Sequence, residues 1–86
     1  MKDAKDKEGR SVKILGKAGV LYVDKDGEYF VDSEVLISPP FDLVIFSEGI
    51  EYYNMPSITI TDEKKKDIIA NTVRLFESIG MKVDVA

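Results

Sequence analysis

Cysteine and histidine are both absent from this 86-residue chain, and each absence removes a class of chemistry. Without cysteine there is no disulfide framework and no thiolate metal site, a composition that suits a reducing cytoplasm. Without histidine the usual base for a serine nucleophile is missing, so catalysis would rest on Ser, Thr, Tyr, Lys or a carboxylate. No apolar run approaches the roughly 20 residues that span a bilayer. The opening MKDAKDKEGR is charged throughout and lacks the apolar core of a secretion signal. Its mixed charges predict a disordered tail over residues 1–10, followed by one domain over residues 11–86.

The chain is 44% hydrophobic and 33% charged, which marks a globular fold with no membrane span. The net charge of −4 is unevenly spread. Residues 1–19 carry six Lys/Arg against three acids, and residues 61–86 carry five against five. Residues 20–60 carry Lys25 alone against eight acids, so the middle of the chain is an acidic block at −7. Such a block repels nucleic acid and attracts a basic partner.

Ser11 to Leu15 reads as a short strand, and Asp26-Gly27 as a turn between two runs rich in β-branched and aromatic residues. A two-residue turn at Asp26-Gly27 would pair Tyr22 with Val31. A type I turn at Lys25-Asp26 with Gly27 as a bulge would pair Leu21 with Val31. The second register segregates side chains more cleanly. It sends Leu21, Val23, Tyr29, Val31, Val35 and Ile37 to the core, and Tyr22, Asp24, Glu28, Phe30, Asp32 and Glu34 outward. A second hairpin is expected around Ser47-Glu48-Gly49, with Val44, Phe46, Ile50 and Tyr52 inward and Leu43, Ile45, Glu51 and Tyr53 outward.

Thr61 has the features of a helix N-cap, with Asp62 and Glu63 in a first turn that favours acids. Ile68, Ile69, Thr72, Val73, Leu75, Phe76 and Ile79 recur at helical spacing, and Gly80 supplies a C-terminal stop. Met81, Val83 and Val85 alternate with Lys82 and Asp84 in a final strand. The expected fold is α+β: an antiparallel meander of four to five strands plus a C-terminal strand, with one helix (about residues 62–79) on one face. The last strand pairs beside either the first strand or the fifth.

Few residues form a chemical constellation. Asp32 with Glu34, or Asp24 with Glu28, are paired carboxylates, but alternate acids on a strand face usually serve solvation. DKDGEYFVDSE has calcium-loop acids, yet counting from Asp24 puts Gly27 at position four and Val35 at position twelve, where a glycine at six and an acid at twelve are needed. No metal and no cofactor are expected. Lys64, Lys65 and Lys66 are offset by Asp62, Glu63 and Asp67, so no basic stripe forms for nucleic acid. What remains is the sheet face away from the helix. There Tyr22, Phe30, Leu43, Ile45 and Tyr53 would lie among Asp24, Glu28, Asp32, Glu34 and Glu51, a protein-docking platform of rings and acids. The alternative is a two-fold homodimer that buries the same face, in a structural or adaptor domain.

DSEVLISPPFDLVIFSEGIEYY, with GVLYVDKDGEYFVD before it and KKKDIIANTVRLFESIGMKVDV after it, resembles the immunity protein 74 family of small bacterial immunity proteins from polymorphic toxin loci. The likeness runs over residues 14–86, and its best-matching piece is Pro40-Phe41-Asp42 leading into Leu43-Val44-Ile45. There Asp42 can cap the turn and Phe41 anchor it. The resemblance implies a non-enzymatic cytoplasmic protein that binds a cognate toxin and occludes its active or substrate-binding surface. It implies no catalytic residue.

Overall fold

Alternation of apolar with polar residues builds six strands and one helix in this computed structural model, which describes residues 3–16, 18–55 and 57–86. The strands are β1 (Asp3–Lys5), β2 (Ser11–Ile14), β3 (Val20–Asp24), β4 (Gly27–Val35), β5 (Leu43–Tyr52) and β6 (Val83–Val85). Helix α1 (Asp62–Ser78) connects β5 to β6. The strands lie side by side in chain order in one sheet. The first five are antiparallel, and β6 joins β5 in parallel, as a helical crossover permits. The α+β expectation holds, and the last strand takes its place beside the fifth.

Thr61 caps α1 as expected, its Oγ1 accepting the Lys64 N–H at 3.1 Å. Gly80 ends it at φ 87°, a left-handed position that glycine fills without strain. The helix buries Ile68, Thr72, Leu75 and Phe76 against the sheet. Its backbone runs closest to β1, β2, β5 and β6, so the sheet curls around it and β3 and β4 form the floor. Tyr22 and Tyr29 fill the space above that floor, both fully buried, with ring centroids 5.9 Å apart. A tyrosine is long enough to bridge the gap that the curl leaves.

The β3–β4 register corrects both sequence alternatives. Tyr22 pairs with Tyr29, Leu21 with Phe30, and Asp24 with Gly27 across a two-residue turn at Lys25-Asp26. Asp24 Oδ1 closes the turn by accepting the Asp26 N–H at 2.9 Å. Gly27, at φ 148°, pairs within the ladder and is no bulge. The slip turns β3 over: Tyr22 and Asp24 face the helix, while Leu21 and Val23 face away. Val35 and Ile37, expected in the core, are 40% and 99% exposed.

The expected second hairpin is one continuous strand. Val31 pairs with Ile50 and Ser33 with Ile45, so Asp32 alone lies opposite Phe46-Ser47-Glu48-Gly49. This odd-numbered insertion reverses the alternation of β5. Leu43 and Ile45 are buried before it, and Ile50 and Tyr52 pack inward after it. Val44 and Phe46 are thereby turned outward, against expectation. A Cβ on Gly49 would collide with Asp32 Cβ, so the bulge closes only around a glycine.

Residues 3–10 also depart from the expected tail. β1 pairs with β2 through Ala4 opposite Val12, and Ala4 is buried. Asp6 organises the following turn, where Oδ1 accepts the N–H groups of Glu8 and Arg10. Its Oδ2 accepts from Arg74 Nη2 at 2.8 Å, which fastens the turn to the helix.

Candidate docking face

The outer face of the sheet, turned away from α1, is where six of the eight expected site residues lie. Along β4, Glu28, Phe30, Asp32 and Glu34 alternate outward. Glu51 sits opposite Phe30 on β5, and exposed Tyr53 follows at the strand end, its N–H donating to the Glu28 carbonyl at 2.9 Å. Phe30 lies on Gly19: a Cβ there would be 2.5 Å from Phe30 Cε1. Gly19 is itself held by its N–H donating to buried Ser33 Oγ at 2.9 Å. The missing side chain thus provides a seat for the ring and leaves it half-buried.

Tyr22 and Asp24 do not belong to this face. Tyr22 is beneath the helix, where Asn71 Nδ2 donates to its hydroxyl at 3.2 Å. Burial pushes its phenol up to about 12. Asp24 turns toward the start of α1, and Lys64 Nζ reaches its Oδ2 at 2.7 Å and Asp26 Oδ2 at 2.8 Å. Burial works against charge on both Asp24 and Lys64, but their pairing prevails: the carboxyl is held below its ordinary value and the ammonium above it. The same ammonium lies 5.4 Å from the centre of the Tyr29 ring, whose phenol is pushed up chiefly by burial. Lys64 is therefore an internal counter-ion and not part of a solvated face.

The corrected registers bring other residues outward. Leu21, Val23, Val44 and Phe46 are half-buried on the outer face, and exposed Asp84 on β6 lies opposite Val44. Leu43 and Ile45, expected there, are in the core. The result is an aliphatic and aromatic surface bordered by Glu28, Asp32, Glu34, Glu51 and Asp84. No Lys or Arg occurs in β3, β4, β5 or β6. Lys5 and Lys13 lie outward on β1 and β2 beside Asp3, so the face passes from mixed charge at one edge, through the uncharged outer side of β3, to acidic on β4, β5 and β6.

The remaining concavities offer little for chemistry. A 540 Å³ groove is lined by Asp3, Ala4, Lys5, Ser11, Val12, Lys13, Leu21 and Ile79. A 260 Å³ hollow holds the Lys64 ion pairs together with Glu8, Arg10 and Asp67. Asp32 and Glu34 line neither. Among the described residues no group of three or more carboxylates is placed to hold a metal ion. Among them, too, no helix is long and apolar enough to cross a membrane. The chain matches no family model, no curated protein and no solved structure.

Proposed function

We propose that this protein is a non-enzymatic binding protein of the immunity type, which docks a basic partner, a toxin domain, on the outer face of its sheet and covers that partner's working surface in the cytoplasm. One observation carries the reading: four adjacent strands present Leu21, Val23, Phe30, Val44 and Phe46 among five carboxylates without a single Lys or Arg. Apolar area with a one-signed rim suits a specific interface, the apolar part supplying affinity and the charge supplying encounter rate and orientation. A nuclease-type cleft, basic because it binds phosphate, is the surface that this rim complements.

The curl of the sheet also favours this division of labour. The helix occupies the concave side and secures the core, so the convex side can change its side chains with little effect on folding. The test is co-expression with a candidate toxin domain taken from the genes beside this protein's own. Co-elution as a stable complex together with restored growth of the host is expected. Unchanged toxicity in the presence of the folded protein overturns the reading.

A further inference from the structure

One end of the molecule has a different character from the rest. The β2–β3 turn, the β4–β5 loop, the end of α1 and the start of β6 meet there, at the opposite end from the Lys64 ion pairs. In a chain that is one-third charged, Val35-Leu36-Ile37-Ser38-Pro39-Pro40-Phe41 is uncharged throughout. Ile37 is 99% exposed at the loop, and Val35 and Phe41 are 40% and 37% exposed. Beside the loop lies a 390 Å³ hollow lined by Ile14, Val35, Leu36, Asp42, Gly80 and Met81. A fully exposed isoleucine next to a hollow lined mostly by apolar side chains is an unusual pair of features on one small domain.

We infer that this end is a two-fold self-association site, in which Ile37 of one copy enters the hollow of a second copy and receives that copy's Ile37 in return. A protruding knob beside its own complementary hollow is what an isologous contact requires, because the same patch must serve as both partners. Electrostatics select the same end. At net charge −4, with the acids concentrated in β4 and β5, two copies repel each other across their outer faces. The loop, uncharged from Val35 to Phe41, lets them meet with less of that repulsion. Asp42 is the one carboxylate lining the hollow, fixed in place by its Oδ2 accepting the Lys82 N–H at 2.9 Å. A lipid surface is a poorer occupant, since an acidic chain is repelled by anionic headgroups. A contact between one loop and one hollow is small beside the roughly 1,000 Å² typical of specific complexes, so the dimer is weak, with a dissociation constant of about 10 to 500 μM.

This pairing leaves both docking faces open, and it stands or falls independently of the proposed partner. The experiment is sedimentation of the isolated chain from about 5 to 500 μM, with Ile37→Asp and Glu51→Lys compared alongside. Wild type and Glu51→Lys should shift toward dimer with concentration. Ile37→Asp should dimerise at least about ten-fold more weakly while keeping the same circular dichroism, because Ile37 supports no part of the core. A monomer at every concentration overturns the inference. So does a dimer that Ile37→Asp leaves intact, or a monomer that instead binds vesicles of neutral or anionic lipid through Ile37.

Discussion

Replacing Lys64 with methionine removes the one cation that, among the described residues, pairs with both Asp24 and Asp26. The Asp26 side chain is 55% accessible, so that contact is worth about 0–1 kcal/mol. The Asp24 side chain is only 7% accessible, close to the regime where stripping one partner from a buried pair costs about 3–5 kcal/mol. Lys64 keeps 21% of its side chain in solvent, which moderates the penalty to about 2–3 kcal/mol. For a domain of this size that lowers Tm by about 10–20 °C. Urea titration followed by circular dichroism at pH 7 measures it. Asp24→Asn combined with Lys64→Met should cost less than the two changes summed, because the neutral amide needs no counter-ion. The gap between wild type and Lys64→Met should also close in acid. The folded Asp24 carboxyl titrates below its unfolded value, so its contribution is present above about pH 4 and disappears as the pH falls through the folded value. A Lys64→Met loss under about 0.5 kcal/mol, or strict additivity with Asp24→Asn, would refute the argument that this pair holds Asp24 on the helix side.

Tyr22 and Tyr29 should stay protonated at about pH 11 in the folded chain, read as incomplete phenolate absorbance at 295 nm. Stability should fall as pH rises from about 10 to 12, because the unfolded phenols release their protons first; full ionisation with native circular dichroism would contradict this. Gly19→Val should cost about 2 kcal/mol or more in the same urea assay, since φ is 102° and the Phe30 ring occupies the space a side chain needs. Thr61→Ala should cost about 1 kcal/mol by freeing the Lys64 N–H at the start of α1.

Local signals made the helix legible. Thr61, Asp62, Glu63 and Gly80 act within one turn of their own positions, and the apolar stripe from Ile68 to Phe76 follows helical spacing. The meander and the final strand were legible for the same reason. The registers were not, because distant partners decide them. Sorting by polarity placed Asp24 in water, whereas Lys64, 40 residues later, allows an acid on the helix side. Tyr22 follows Asp24 inward and meets Asn71. Likewise Ser47-Glu48-Gly49 has the composition of a hairpin turn, and only its pairing with both halves of β4 makes it a bulge. Phe30, Glu28, Asp32, Glu34, Glu51 and Tyr53 were placed on the outer face because β4 and the end of β5 keep simple alternation. Leu21, Val23, Val44 and Phe46 were missed wherever a turn or an insertion changed the phase.

The rate at which the outer face meets the proposed basic partner tests the functional account most directly. Stopped-flow association of the Glu28→Lys, Glu34→Lys, Glu51→Lys triple variant with the toxin domain, at low ionic strength, should be slower than wild type by about ten-fold or more. Added salt should shrink that difference, and the unfolding midpoint should move little. An association rate that is indifferent to reversing all three charges, in a variant shown to be folded, would place the contact elsewhere on the protein.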